Sequence, residues 1–233
     1  MEVMGFFVGW GECMPGKFEV VDKVELLGFI SRWNFGDLIT SHNGQLRVSH
    51  APFLVDEQEM ALYCHFGRHA AHIKDIIAAK ELLILFKGPH AYVSPRWYEQ
   101  KDMVPTWNFQ SVTVKGRAQA VGPAEVVMIL DRLTQKHEAL YENPWRIEDV
   151  SEEALKTMLR EIIGFKIPID VLCGQYKLSQ NRSIDIQEMV IGGLLAGGSD
   201  MEREVVASMR QNQTRQEKES RVRGARSDKG INP

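Results

Sequence analysis

The sequence predicts a mainly β protein, an antiparallel β-barrel with helices at its periphery. Short β-rich segments follow one another through turns, and Asn43-Gly44 is the strongest hairpin signal in the chain. Few of these segments are separated by the long helical crossovers that parallel strands require. Of the 233 residues, 44% are hydrophobic and 25% are charged, which is typical of a globular protein. The free edges of such a sheet need cover, from barrel closure or from a second subunit.

Residues 1–13 show no clear periodicity and are interpreted as an N-terminal extension, so either Met1 or Met14 can be the start. A first helix is predicted from Asp22, which can cap it, to Asn34 and Gly36, which end it. The apolar face of this helix consists of Leu26, Phe29, Ile30 and Trp33.

A hairpin follows the first helix. Residues 37–40 form its first strand, residues 41–44 form the turn, and residues 46–55 form the return strand. Residues 60–66 are predicted to form a third strand, and residues 81–86 a fourth. The helix predicted between these two strands carries Ile73, Ile76, Ile77 and Ala79.

Residues 88–108 are predicted to form a rigid, ordered loop. The segment holds three Pro, two Trp, two Tyr, one His and one Arg, and proline restricts the backbone. Aromatic and polar groups on a rigid loop beside a sheet suit a planar ligand with polar edges. The alternative is a Pro-rich corner whose aromatic rings cover one end of the core.

A strand and two helices are predicted next. Residues 112–120 alternate between apolar or small and polar side chains, which is typical of a half-buried strand. Gly122-Pro123 then opens a helix, and Ser151 caps another, which Gly164 ends. The predicted apolar stripes are Val126, Leu130, Leu133, His137 and Leu140 on the first helix, and Leu155, Met158, Leu159, Ile162 and Ile163 on the second.

The last predicted segments are a strand, a helix and a tail. Residues 165–172 form the strand, in which Pro168 indicates an edge position or a bulge. A polar exit at residues 177–182 leads to a helix at residues 184–195. From Glu202 onward the chain has eight basic and five acidic residues, so the tail is interpreted as disordered or as an extended helix.

Composition and charge argue against several function classes. A net charge of −3 does not indicate nucleic-acid binding through overall charge. No apolar run approaches the length of a membrane span, and the apolar N-terminus lacks the basic flank of a signal peptide. Cys13, Cys64 and Cys173 are an odd number of separated thiols without metal-binding spacing, which fits a reducing cytoplasm. We therefore expect a cytoplasmic protein.

Histidines and an arginine after the third strand are candidates for ligand binding. His65, His69 and His72 could form a metal site, but no carboxylate or cysteine joins them at useful spacing. Arg68 and His69 lie where a strand gives way to a helix, and an Arg fork at a helix start suits a phosphate. The alternative is that Arg68 is a solvated residue. His50 is either a ligand contact or a strand-end hydrogen-bond partner.

Several unusual motifs occur in one order from about Met14 to Leu195. They are Asn34-Phe35-Gly36, Leu38-Ile39-Thr40, Ser49-His50-Ala51-Pro52, His65 with Arg68, Phe86, Gly88-Pro89-His90-Ala91-Tyr92, Ser94-Pro95, Trp97-Tyr98, Val104-Pro105-Thr106-Trp107-Asn108, Pro144-Trp145-Arg146, Ile163-Gly164 and Lys177-Leu178-Ser179-Gln180-Asn181. In this order they resemble the PaiB family of FMN-binding split-barrel proteins, also described as negative transcriptional regulators and related to the pyridoxine phosphate oxidases.

The resemblance implies a six-stranded antiparallel split β-barrel of the FMN-binding type. It also implies a homodimer that holds FMN between its subunits. Residues 14–200 would then form the FMN-binding domain with a helical C-terminal part, and residues 201–233 a polar, charged tail.

The resemblance further implies the residues of the flavin site. Arg68 and His69 are expected to hold the FMN phosphate. Thr40, Ser49 and His50 are expected to approach the isoalloxazine ring and the ribityl chain. Trp107 and Asn108, from the same or from the second subunit, are expected to contact the ring, and Lys177, Ser179 and Asn181 match a polar segment near the cofactor. Lys87 is a further expected cofactor contact on the ground of its charge, not of the resemblance.

Two positions depart from the family pattern. Ala70-Ala71 stands where the family commonly has Asn-Pro, and Lys87 stands where Gln is usual. Loss of one side-chain hydrogen bond costs on the order of 1 kcal/mol, which weakens a site without abolishing it. Lys87 adds a cation that can approach the phosphate or the flavin.

Three functions remain open at this point. The first is a flavin-binding regulatory protein, although no helix-turn-helix is evident and direct DNA binding would depend on the tail. The second is an FMN-dependent oxidoreductase whose catalytic groups the sequence does not identify. The third is a dimeric binding module without the cofactor. The candidate substrate contacts of an oxidoreductase are His90, Tyr92, Arg96 and Tyr98.

Overall fold

The computed structural model of the chain describes residues 16–98 and 102–227, with side chains described up to residue 218. The predicted N-terminal extension and the choice between Met1 and Met14 lie outside the described residues. The strands are β1 (Glu19–Val20), β2 (Phe35–His42), β3 (Gln45–Pro52), β4 (Leu54–Asp56), β5 (Ala61–Gly67), β6 (Leu82–Val93), β7 (Thr106–Gly116), β8 (Gln119–Ala120), β9 (Ile162–Pro168) and β10 (Val171–Lys177). The helices are α1 (Lys23–Arg32), α2 (Ile73–Ala78), α3 (Pro123–Glu138), α4 (Glu152–Glu161), α5 (Ile184–Gly197) and α6 (Asp200–Ser227), with short 3-10 turns at Pro95–Trp97 and Ile147–Asp149.

The strands form two open sheets. The larger sheet has six strands in the order β1-β10-β7-β6-β2-β3, and the smaller has four in the order β4-β5-β9-β8. The pairs β2–β3, β2–β6, β4–β5, β5–β9 and β8–β9 are antiparallel. A mainly β, antiparallel protein is therefore confirmed, whereas the strand pairing closes neither sheet into a barrel.

The chain divides into two compact units, each built from separate segments. The central unit contains residues 21–87 and 111–174, and the C-terminal unit contains the described residues of 1–20, 88–110 and 175–233. Strands β6, β7 and β10 each contribute residues to both units.

The β2–β3 hairpin in the central unit matches its sequence signal. Asn43 and Gly44 both have positive φ, at 49° and 74°, which is the geometry that a two-residue hairpin turn requires. The register places Leu38 opposite Ser49 and Asp37 opposite His50. Successive residues point to opposite faces, so one face of the hairpin carries Leu38 and Ser49 and the other carries Asp37 and His50.

Helix α3 packs on the smaller sheet. Its buried residues Val126, Ile129 and Leu133 follow the helical period. The predicted stripe was correct for Val126 and Leu133. It was wrong for His137, which is exposed, and for Leu140, which is 90% exposed. The helix ends at Glu138, so Leu140 lies beyond the last turn and the periodicity no longer directs it inward.

Helix α4 differs from its prediction. Ser151 caps it as predicted, since its Oγ accepts a hydrogen bond from the Ala154 amide. The helix ends at Glu161, no residue of it is buried, and Ile163 and Gly164 belong to strand β9. Gly164 is therefore a strand residue, where a Cβ atom would lie 2.8 Å from the side chains of Val121 and Val126.

The predicted strand at residues 165–172 is two strands. Strand β9 ends at Pro168, and β10 begins at Val171. The Asp170 amide donates to the carbonyl of Lys115 in the connection. Proline has no amide hydrogen to continue the pairing, so Pro168 marks the end of a strand.

The predicted loop at residues 88–108 is strand at both of its ends. Strand β6 continues to Val93 and β7 begins at Thr106, so a shorter segment connects them. Ser94 caps the 3-10 turn at Pro95–Trp97, where its Oγ accepts from the Arg96 amide. The aromatic residues at 90, 92 and 107 consequently lie on strands.

Helices α5 and α6 complete the C-terminal unit. Gly198, with φ of 72°, ends α5, and Ser199 and Glu202 then exchange hydrogen bonds at the start of α6. The predicted tail is thus helical through Ser227. Among the described helices, none combines the length and the apolar character needed to cross a membrane.

Candidate functional site

A buried histidine joins two predicted site residues in the central unit. His72 lies in the turn before α2, and its Nε2 is 2.7 Å from the Thr40 hydroxyl. Its Nδ1 is 2.7 Å from the Ser49 hydroxyl on the neighbouring strand. A neutral imidazole has one donor and one acceptor nitrogen, so one hydroxyl accepts from the ring and the other donates to it. Thr40 and Ser49 are therefore brought together through His72.

Charged groups surround this histidine. The Arg47 guanidinium forms an ion pair with Asp75 at 2.6 Å. Burial lowers the pKa of His72, the Asp75 carboxylate opposes that effect, and Arg47 adds to it. Burial consequently favours the neutral ring, and the two hydroxyls can pair with it because each can donate or accept.

His50 lies on the opposite face of the hairpin from Ser49. Its Nδ1 is 2.7 Å from Asp37 Oδ1, and the Lys87 ammonium is 3.3 Å from Asp37 Oδ2. Burial acts to raise the pKa of Asp37, but the hydrogen bond from His50 and the Lys87 charge outweigh it and hold that pKa below its usual value. The carboxylate orients His50, and no described contact occupies its Nε2.

Arg68 and His69 lie in the turn after β5 rather than at a helix start, since α2 begins at Ile73. The Arg68 guanidinium donates from Nε to the Arg160 carbonyl at 3.0 Å and from Nη2 to the Ile162 carbonyl at 2.7 Å. It thereby covers the C-terminus of α4, where free carbonyls attract a cation. His69 is exposed and lies 3.8 Å from the Glu161 carboxylate.

Three aromatic side chains form an exposed cluster in the C-terminal unit. The Trp107 ring lies 5.9 Å from the Tyr92 ring and 6.3 Å from the His90 ring. Trp107 is 52% exposed, although tryptophan usually buries most of its surface. We call these three residues the aromatic cluster. In this cluster His90 and Tyr92, which are predicted to contact a substrate, lie beside Trp107, which is predicted to contact the flavin.

Asn108 and Ser179, in contrast, are buried and bonded to each other. The Ser179 hydroxyl donates to Asn108 Oδ1 at 3.1 Å, and Asn108 Nδ2 donates to the Met209 thioether of α6 at 3.4 Å. Ser179 has a positive φ of 61°, an uncommon value for serine. Helix α6 thus contacts Asn108, and both residues for which we expected cofactor contacts are buried.

The remaining predicted site residues of this unit vary in exposure. Lys177 donates to the Thr106 hydroxyl, and burial, with a contribution from Arg182, lowers its pKa. Tyr98 is buried, which raises its pKa. Arg96 and Asn181 are exposed.

Three residues that organise these clusters were not predicted in that role: Asp37 and Met209 were not singled out, and His72 was considered only as a metal ligand. His72 bonds both hairpin hydroxyls, Asp37 orients His50, and Met209 covers Asn108. Asp37 carried a usable signal, because a carboxylate inside a strand is unusual and needs a partner. Met209 carried none, since its contact with Asn108 spans 101 residues.

Metal binding has no support in the described part of the chain. Within it, no three or more His, Cys, Asp or Glu side chains are grouped so that they could hold a metal ion. His65 lies on β5, as predicted, and His69 and His72 lie in the following turn.

Comparisons with known proteins identify relatives over most of the chain. Residues 13–171 match the family described as "Putative FMN-binding domain". The "Protease synthase and sporulation protein PAI 2" of Bacillus subtilis is 32% identical over 172 residues, which cover 73% of this chain and 83% of that protein. An uncharacterized protein of Emericella nidulans is 26% identical over 66% of this chain and 77% of its own.

Solved structures show the same fold at low sequence identity. The FAD and heme binding protein from Mycobacterium smegmatis has a TM-score of 0.57 and 12% identity, and covers 78% of this chain and 81% of its own. The flavocytochrome Anf3 from Azotobacter vinelandii has a TM-score of 0.52 and 13% identity over 68% and 69% of the two chains. At such identities the likeness concerns the fold alone.

Proposed function

Because the chain belongs to the FMN-binding family that its residues 13–171 match, we propose that two copies form a split-barrel homodimer that holds FMN between them. The cofactor of the chain is FMN. We propose, in addition, the residues that hold FMN, the six-stranded barrel, the dimer and the cytoplasmic location.

The aromatic cluster is the observation that supports a flavin site best. An isoalloxazine ring is flat and apolar with polar edges, so it stacks well on exposed aromatic faces. Trp107 is open to such contact on a strand, where its position is fixed better than on a loop. His90 and Tyr92 flank it and offer a ring nitrogen and a hydroxyl to a substrate or to the flavin edge.

The phosphate of FMN would be held by Arg68 and His69. Two donor groups of Arg68 are engaged by carbonyls, and Nη1 has no described partner. The carbonyls fix the direction of the guanidinium, and a fixed guanidinium loses less entropy when it binds a phosphate. His69 adds an exposed imidazole one residue away.

The proposed dimer interface is the hairpin face that carries Asp37 and His50. Phe35, Leu46 and Val48 are large apolar side chains on that face, and all three are more than half exposed. Strand β3 is also an edge of the larger sheet, which needs cover. A second copy of the chain would provide it, as the sequence led us to expect.

An absorbance spectrum of the purified protein tests the flavin site directly. We expect flavin bands that survive gel filtration after FMN is added. Trp107→Ala and Arg68→Ala should each weaken FMN binding by about tenfold or more, because each removes a contact worth roughly 1.5 kcal/mol. Arg117→Ala, which removes an exposed arginine just after β7, is the matched control and should leave FMN affinity unchanged.

Two outcomes would contradict the assignment. A protein that stays colourless with excess FMN would instead support the cofactor-free binding module. Normal FMN affinity in Arg68→Ala would limit Arg68 to its role at the end of α4, and a lower melting temperature alone would report that structural role.

A second candidate function is an FMN-dependent oxidoreductase, favoured by the Asp37–His50 pair. Asp37 bonds Nδ1 of His50, which leaves the exposed Nε2 as a base that can accept a proton. FMN would supply the electron transfer. Oxidation of NADH or NADPH by the flavin-loaded protein, lost in His50→Gln with FMN affinity retained, would support this function.

A regulatory role is the weaker part of the proposal. It is supported by the resemblance to the PaiB family, whose members are described as negative transcriptional regulators, and by the basic excess after Glu202, where α6 is one continuous helix. DNA binding through this helix should weaken steeply as salt rises. Binding insensitive to salt would contradict an electrostatic role.

A further inference from the structure

We propose that the pocket at the end of α3 binds a small zwitterion with an aromatic body, such as an aromatic α-amino acid. The pocket has a volume of about 310 Å³ and lies within the central unit. Pro144-Trp145-Arg146 forms one side of it, and neither the proposed flavin site nor the proposed dimer uses this motif. The lining residues are Gln135, Ala139, Pro144, Trp145, Arg146 and Glu148.

The loop that forms the pocket is held in place. The Glu138 carboxylate accepts a hydrogen bond from the Trp145 amide at 3.0 Å, and Asp149 accepts one from the Arg146 amide at 2.9 Å. Ile147 anchors the loop from below, since its side chain is buried. The pocket is therefore formed before a ligand arrives, which reduces the entropy lost on binding.

The pocket provides an apolar wall for a ring. The Trp145 side chain is 44% exposed although its backbone is pinned, and Pro144 and Ala139 add apolar surface beside it. Aromatic rings stack favourably on an indole. A volume of about 310 Å³ is at the lower end for small-molecule sites, so the ligand is the size of an amino acid.

Two opposite charges at the pocket can bind the two charged groups of the ligand. Arg146 and Glu148 are exposed, and neither takes part in an ion pair with any residue that the structure describes. Arg146 can bind a carboxylate through its guanidinium fork. Glu148 and the carbonyl end of α3 at Ala139 attract an ammonium group. Gln135 donates its amide to Asp131, which leaves its Oε1 as an acceptor for the same ammonium.

Calorimetric titration of the full chain with L-phenylalanine, 3-phenylpropionate and 2-phenylethylamine tests the proposal. We expect L-phenylalanine to bind about tenfold more tightly than either probe that lacks one charge. Arg146→Gln should remove the advantage over the amine, and Glu148→Gln the advantage over the carboxylate. Trp145→Ala should abolish binding of all three.

The control is Glu142→Gln, an exposed glutamate of the same loop that does not line the pocket. It should leave all three affinities unchanged, and circular dichroism should show that every variant is folded. Absence of L-phenylalanine binding at millimolar concentration, equal affinity for the amine alone, or insensitivity to all three variants would overturn the proposal. FMN absorbance should be unchanged by Trp145→Ala, so failure here is distinct from failure of the flavin site.

Discussion

At the scale of single residues, the contacts of His72 explain why two hydroxyls lie side by side in the central unit. Sequence reasoning selected Thr40 and Ser49 as ligand contacts, and the structure places both against the same imidazole. His50 was selected with them, but alternation along β3 directs it to the other face, beside Asp37. Residue types were therefore recognisable from the sequence, whereas their partners depended on strand register.

The first prediction concerns this histidine. His72→Phe leaves the buried Thr40 hydroxyl without its partner, so it should lower the free energy of unfolding by about 1–3 kcal/mol. Adding Thr40→Val removes the unpaired hydroxyl and should recover part of that loss. Urea unfolding of both single variants and the double variant measures the coupling. His137→Phe, on the exposed part of α3, is the control, and additive effects of His72→Phe and Thr40→Val would contradict the hydrogen bond.

The second prediction concerns pH. Burial lowers the pKa of both His65 and His72 from the ordinary value of 6.5, and Nδ1 of His65 has no partner among the described residues. The folded protein then binds fewer protons than the unfolded chain. Stability is therefore complete above pH 6.5 and is lost as pH falls below it, by about 1.4 kcal/mol for each unit of pKa difference.

Unfolding measured in urea between about pH 8 and about pH 5 tests this sign, since side chains other than histidine titrate little there. His65→Gln should flatten the dependence, whereas His137→Gln, which changes an exposed histidine, should not. A stability that rises as the pH falls over that window would show that the sign is wrong.

At the scale of elements, short-range signals predicted starts and turns better than ends. Asn43-Gly44 and Ser151 act locally, and both are confirmed. Gly164 was wrongly predicted to stop a helix, because it is needed in β9, where α3 approaches the backbone too closely for a side chain. Tertiary packing requires glycine at position 164, and no local sequence pattern predicts such a requirement.

The third prediction compares two adjacent glycines of α5. A Cβ atom on Gly193 would lie 2.1 Å from the Trp97 ring, whereas one on Gly192 would meet nothing within 4 Å. Gly192→Ala should stabilise the protein by roughly 0.5–1 kcal/mol, because alanine favours the helix. Gly193→Ala should destabilise it by about 1–3 kcal/mol, since Trp97 must move. Thermal unfolding followed by circular dichroism compares the two, and equal shifts would contradict the packing of Trp97 on α5.

At the scale of the whole molecule, the family and the antiparallel β character were predictable, because several motifs occur in order over most of the chain. The division into two units was not. The central unit joins residues 21–87 to 111–174, so its boundaries leave no contiguous change in composition. Whole-molecule organisation of this kind depends on contacts distant in sequence.

The fourth prediction concerns the proposed homodimer. Val48→Glu places a charge on the exposed apolar face of β3, so it should shift a dimer towards monomer by at least about tenfold in dissociation constant. Ile77→Glu, at a comparably exposed residue of α2 outside that face, is the control. Sedimentation velocity over a range of concentrations measures both. A dimer equally stable in both variants would require a different interface.

Strands β6, β7 and β10 each contribute residues to both units, which limits how the protein can be cut into fragments. Neither unit is a single uninterrupted stretch of polypeptide, so a stop codon or one proteolytic cut cannot liberate either of them intact. Ribosomal synthesis must reach β10 before the central unit has all of its chain. Fragments made for crystallisation or for flavin reconstitution should consequently retain every one of these three strands.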